Sequence, residues 1–218
     1  MAQIFSPRAT TIAVIVLVAL VSVPVVLIAY IYQVHSSPYA THVGIPVAQP
    51  IPFSHAHHVG DVGLDCRYCH TGVETSAFAG LPPTSTCMTC HSQLWTNAAM
   101  LAPVRESLAK GKPIRWNRVH DLPDYVYFDH SVHIANGVGC SSCHGDVSKM
   151  PLTRKVKPLT MGWCLSCHEN PAPHLRPQAE IFNPHWKPGP DHEKEGRMLM
   201  AHYGIDKDHL TDCSVCHR

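Results

Sequence analysis

The sequence predicts a mainly α and irregular chain of short helices, preceded by one transmembrane helix. Three observations predict it. An unbroken apolar run lies near the N-terminus, and no later segment shows the period-2 alternation of a half-buried strand. The third is compositional: 10 Cys, 18 His and 19 Pro stand against 5 Phe among 218 residues. So few large apolar side chains cannot by themselves fill the core of a domain this size, and another core material is required.

The apolar run, Ile12 to Tyr32, has 21 residues and no charge. At about 1.5 Å per residue it spans about 31 Å, the hydrocarbon core of one bilayer. Arg8 precedes it, and Tyr30 and Tyr32 stand at its far end, where interfacial aromatics sit. It is longer than the apolar region of a cleaved signal peptide, and no Ala-x-Ala site closes it. The expected organisation is therefore a cytoplasmic N-terminus over 1–10 and an uncleaved anchor over 11–32. A Pro-containing, uncharged linker over 33–52 and one extracytoplasmic domain over 53–218 follow. Pro24 removes one helical hydrogen bond inside the span, which membrane helices tolerate.

All ten cysteines fall in five Cys-x-x-Cys pairs, and a His follows each pair directly. The motifs are Cys66-Cys69-His70, Cys87-Cys90-His91, Cys140-Cys143-His144, Cys164-Cys167-His168 and Cys213-Cys216-His217. Cys-x-x-Cys-His is the attachment motif of c-type haem. Two thioethers must reach two vinyl positions on one porphyrin edge while the adjacent His rises over the face to bind iron. One turn of helix achieves this. The 17 residues between Cys69 and Cys87 also fit a zinc ribbon, and Cys-x-x-Cys alone fits a thioredoxin-like site. Neither requires a His after every pair, and no cysteine remains for a disulfide. The expected cofactors are five covalently bound haem c, with stacked porphyrins serving as core.

The formal net charge is +1, which gives no nucleic-acid footprint. Ten propionates and five ferric centres would take the oxidised protein to about −4. Beyond residue 53 the chain repeats. Phe53-x-His55-x-x-His58 precedes motifs 1 and 2, and Phe128-x-His130-x-x-His133 precedes motifs 3 and 4, at offsets of 75, 74 and 77 residues. The domain thus divides into 53–127 (haems 1 and 2) and 128–218 (haems 3 to 5). Further helices are expected over 98–110 and 193–203.

Phe-x-His-x-x-His ahead of Cys-x-x-Cys-His resembles the class III cytochromes c and their three-haem relatives. The resemblance implies that His55 binds haem 1, His130 binds haem 3, and His58 and His133 each reach a different haem. A fifth distal ligand stays open. His120 is the first choice, His174, His185, His202 and His209 are rivals, and Met150, Met161, Met198 or Met200 would supply a higher-potential alternative. Arg154, Lys155 and Lys157 form a basic turn that suits propionates, a partner or plain solvent.

The whole layout, with Leu159-Thr160-Met161-Gly162-Trp163 leading into motif 4, resembles the pentahaem cytochrome c subunit of bacterial alternative complex III. That resemblance implies a non-catalytic electron-transfer subunit of a quinol-oxidising respiratory or photosynthetic complex. It would be single-pass in the bacterial inner membrane, with its haem domain on the periplasmic side. The implied partners are an iron–sulfur subunit, polytopic quinol-binding subunits, and a monohaem cytochrome or copper protein as acceptor. Two alternatives stay open: a NapC/NrfH-like quinol dehydrogenase, and the multihaem subunit of a quinone-reductase complex. A pentahaem nitrite reductase, with its Cys-x-x-Cys-Lys site, does not fit motifs that all end in His.

Overall fold

The computed structural model describes residues 6–217, so residues 1–5 of the expected cytoplasmic segment lie outside it. The chain divides into two units, Met1–Val43 and Gly44–Arg218. In the first, α1 runs from Pro7 to Ser36 and α2 from Pro38 to Thr41. Ser6 caps α1 by accepting from the amide of Ala9, and Pro7 occupies the first turn, where its missing N–H costs nothing. Among the described residues α1 is the one helix long and apolar enough to cross a membrane. Its large apolar side chains are exposed along the whole span, as the lipid-facing surface of a single helix would be.

The second unit is built from short helices joined by long irregular segments. Its helices are α3 (Cys66–Cys69), α4 (Thr84–His91), α5 (Ala102–Lys110), α6 (His130–Ala135), α7 (Cys140–His144), α8 (Met161–His168), α9 (His192–Tyr203) and α10 (Cys213–Cys216). A π-helical turn covers Ala56–Asp61. Among the described residues there are isolated bridges but no strands. The two helices expected at 98–110 and 193–203 are present, the first entered through a 3-10 turn at Ala99–Leu101.

The protein-only core is small. One cluster joins Ile51, Leu101 and Val104, with Met88, Ile114 and Trp116 packed against it. A second joins Val73, Ile134 and Ile181, with Ala79, Cys140 and Phe182 around it. Fully burying a residue of this size contributes about 1.5–3 kcal/mol. A handful of such residues is a thin core for a domain of this length, as the scarcity of Phe forecasts.

Helix α9 shows how tightly the backbone closes where it does pack. Gly196 is buried, and a Cβ built on it would lie 2.0 Å from the carbonyl oxygen of Ala172. Backbone stands on both sides of that contact, so neither partner can swing away. We expect Gly196→Ala to destabilise the holoprotein by about 1–3 kcal/mol through overpacking. Gly189→Ala, at a position with nothing within 4 Å, should leave the denaturation midpoint almost unchanged. Equal midpoints for the two variants would show that α9 does not pack this closely.

Candidate haem-binding site

Each of the five Cys-x-x-Cys pairs lies on a helix: α3, α4, α7, α8 and α10. The helical turn brings the two sulfurs and the following imidazole to one side, the arrangement two thioethers and an axial ligand require. Local chemistry starts these turns. Asp65 caps α3 by accepting from the amide of Arg67 at 2.8 Å, and Pro83 precedes α4 in extended conformation.

Four of the five imidazoles that follow the pairs are oriented by one device. His70 Nδ1 is 2.8 Å from the carbonyl of Gly80, His91 Nδ1 is 3.2 Å from that of Leu94, His168 Nδ1 is 2.8 Å from that of Leu210, and His217 Nδ1 is 3.1 Å from that of Tyr125. A carbonyl accepts only, so each Nδ1 carries the proton and each Nε2 is left with its lone pair. Metal-bound histidines are held this way.

Three of the four histidines of the two Phe-x-His-x-x-His segments follow the same rule. His58 Nδ1 donates to Ser54 O at 2.8 Å, His133 Nδ1 to Asp129 O at 2.7 Å, and His130 Nδ1 to Ala77 O at 2.8 Å. His55 Nδ1 lies 2.9 Å from the hydroxyl of Thr153. The phenylalanine has one job in both copies. Phe53 meets His55 edge-on at 4.9 Å and stacks on His58 at 4.4 Å, and Phe128 meets His130 edge-on at 4.8 Å and stacks on His133 at 4.5 Å. The sequence repeat is thus a repeat of side-chain geometry. Asp129 adds a cap to the second copy, its Oδ1 accepting from the amide of Ser131 at 2.8 Å.

Ring spacing places these histidines against the motif histidines. Two imidazoles bonding one metal through Nε2 from opposite sides, at metal–nitrogen distances of about 2 Å, have centroids about 6 Å apart. The His58–His91 centroids are 6.2 Å apart, those of His130 and His144 6.3 Å, and those of His133 and His168 6.2 Å. The half-buried His55 has His70 and His58 as neighbours. Burial, reinforced by these neighbouring rings, holds His55 down to about 4 and His144 down to about 3, and it lowers His133 as well. Rings kept neutral in this way retain the lone pair that binds iron.

The structure places His120 beside His144, with centroids 4.3 Å apart and planes near perpendicular. That is too close for two ligands on opposite faces of one haem iron, which would stand about 6 Å apart. Its Nε2 is buried without a partner, and burial lowers it to about 4. Of its rivals, His209 pairs with Asp212 at 3.1 Å on the exposed surface. His185 lies 3.6 Å from Asp146, and His174 is exposed, near Lys157. The basic turn is partly occupied by backbone pairing: Arg154 bridges Pro46, and Lys155 O accepts from Gly44 N.

One residue that sequence reasoning missed is Arg176. It is 3% exposed and reaches between the two cysteines of motif 3, donating to the hydroxyls of Ser141 at 3.0 Å and Ser142 at 3.2 Å. Its guanidinium lies 4.4 Å from the ring centroid of Trp186. No motif signals it, because its partners lie 34 and 35 residues away in the chain.

These residues fit a covalently bound haem. Paired cysteines on helical turns, imidazoles with Nδ1 committed and Nε2 free, and second imidazoles at axial spacing form a donor set for an iron porphyrin. Comparison with known proteins agrees. The cytochrome c3 family profile matches residues 132–218. Over 143 residues, 56% of this chain and 68% of the relative, the sequence is 36% identical to the multihaem cytochrome c subunit of menaquinone reductase from Nitratidesulfovibrio vulgaris (strain Hildenborough). With attachment motifs, ligand geometry and kinship in agreement, the chain belongs to the cytochrome c3-like multihaem cytochromes c.

Proposed function

We propose that the chain is a membrane-anchored pentahaem cytochrome c that relays electrons inside a quinone-linked membrane complex. The observation that carries this reading is the five-fold recurrence of one unit: a Cys-x-x-Cys helical turn followed by His. In four of the five, the His Nδ1 is committed to a carbonyl. When bound, the haems supply one-electron chemistry. The chain's residues attach them, present Nε2 to the iron and fix ring orientation.

In this reading His70, His91, His144, His168 and His217 are the proximal ligands. His55 faces the site of His70, His58 that of His91, His130 that of His144, and His133 that of His168. His120 is retained as a candidate distal ligand on the strength of its buried, unpartnered Nε2. Iron held by two side chains leaves no position for a substrate, so the chain carries electrons rather than transforming a molecule. The α1 helix anchors it in the bacterial inner membrane. Because thioether attachment takes place outside that membrane, the domain from residue 53 lies on the periplasmic side.

The alternative-complex-III-like layout favours electrons flowing out of quinol, through an iron–sulfur subunit and polytopic quinol-binding subunits, towards a monohaem cytochrome or copper protein. A second reading, flow into quinone, is favoured by the 36% identity to a menaquinone reductase subunit. One purification tests both levels. Denatured intact mass and pyridine haemochrome absorbance per chain should each give five haems, and a lower count on mature protein would defeat the pentahaem reading. The co-purified complex should then oxidise menaquinol with a periplasmic acceptor present. Reduction of menaquinone by a reduced soluble cytochrome, without the reverse activity, would establish the second direction.

A further inference from the structure

We infer that the five attachment sites do not follow one another in space as they do in sequence: they run 2–1–3–4–5, with sites 2 and 5 at the two ends. This rests on reading the five motifs as haem attachment sites, and it deepens that reading by assigning each site its neighbours.

Four contacts carry the order. Sites 1 and 2 meet through residues inside the motifs: the hydroxyls of Tyr68, between Cys66 and Cys69, and of Thr89, between Cys87 and Cys90, are 2.9 Å apart. The same two sites share the Ser54–Asp61 segment, which carries both His55 and His58. Sites 1 and 3 meet on Ile181–Phe182. Cys66 Sγ lies 4.0 Å from the carbonyl of Phe182, and the amide of Cys140 donates to that of Ile181 at 3.2 Å. In addition, the loop after motif 1 holds the histidine facing motif 3, through the carbonyl of Ala77.

Sites 3 and 4 are joined by α6. His130 and His133 stand one turn apart on it, and their rings face His144 and His168 at 6.3 and 6.2 Å. Sites 4 and 5 meet where His168 Nδ1 donates to Leu210, three residues ahead of Cys213.

Exposure gives an independent indication of the ends. Cys90 of site 2 and Cys213 of site 5 are exposed, and the other eight cysteines are half-buried. A relay needs its terminal groups near the surface, where one-electron partners dock, and its middle groups shielded. Site 1, first in the sequence, is therefore interior, lying between sites 2 and 3. A one-electron donor would meet the chain at site 2 or site 5, and a one-electron acceptor at the other.

The test counts neighbours. Wild-type holoprotein is first shown to carry five haems, which separates failure of the underlying reading from failure of the order. Two variants are then compared, Cys87→Ala with Cys90→Ala to remove site 2, and Cys66→Ala with Cys69→Ala to remove site 1. Each should carry four haems. Potentiometric electron paramagnetic resonance should show one remaining haem shifted when site 2 is removed and two when site 1 is removed. Two shifted haems without site 2, or one without site 1, would restore the sequence order 1–2–3–4–5 and overturn the inference. Iron–iron separations in the wild-type holoprotein give the same decision without any variant. The iron of site 1 should lie between those of sites 2 and 3, and finding the iron of site 2 there would refute the order.

Discussion

In the His130→Ala holoprotein, one low-spin electron paramagnetic resonance signal should vanish and one high-spin signal should replace it, with the haem count unchanged. The expectation follows from three features of His130. Its ring faces His144 at 6.3 Å and lies within 9° of it, the disposition of two axial ligands on one iron. Its Nδ1 is committed to Ala77 O, so Nε2 is the free atom. Cys140 and Cys143, which in this reading would carry the thioethers, are independent of it, so the porphyrin should stay attached when the ligand is lost. The vacated position would then bind carbon monoxide. His133→Ala should do the same at the site of His168, and the double variant should convert two signals. His185→Ala is the control: that ring is exposed and lies 3.6 Å from Asp146. An unchanged spectrum in His130→Ala would mean that the His130–His144 spacing is packing alone. In the same series, His120→Ala decides between two roles. A new high-spin signal makes it a distal ligand. A perturbed signal at the site of His144, without spin conversion, makes it a packing partner of that ligand.

Much of this was legible because it is local. A Cys-x-x-Cys-His turn closes its geometry within five residues, so all five were readable, as was the helix ending at Tyr203 with Gly204 in a left-handed conformation beyond it. The repeat was readable as Phe-x-His-x-x-His, and its meaning became visible only as the edge-and-face packing of Phe53 and Phe128. Long-range placement was not legible. The partner of His55 is Thr153, 98 residues on; His130 is held by Ala77, 53 residues back; Cys66 meets Phe182 across 116 residues. Sequence periodicity carries no information at those separations, which is why the motif implied that His58 and His133 cross to another haem but could not say which. Arg176 carries no local signal for the same reason, whereas the basic turn at Arg154 is visible as a run of like charges.

Arg176→Ala should be among the most damaging single substitutions in the domain, with two separable effects. The guanidinium is buried, and burial lowers its pKa. No carboxylate forms an ion pair with it among the described residues. Removing the charge therefore relieves a desolvation cost, and that by itself would favour the variant. Packing opposes it. The side chain fills the space left by Gly139, where a Cβ would lie 2.2 Å from the guanidinium carbon, and it lies against the face of Trp186. Truncation to Ala forfeits the cation–π contact and opens a cavity, for a combined loss of about 3–5 kcal/mol. The lost hydrogen bonds add less. Ser141 and Ser142 can reorient, while the carbonyls of Glu180 and Asn183 keep donors in the amides of Asn183 and Trp186. Arg176→Met retains most of the stem and should cost only about 1–2 kcal/mol. The charge has its own readout. A buried cation beside Cys140 and Cys143 would stabilise the reduced, less positive state of an iron held at that site. Both variants should therefore lower the midpoint potential of one haem, and Arg176→Lys should restore it in large part. A Met variant with near-wild-type stability and an unshifted potential would show that Arg176 is a packing residue alone.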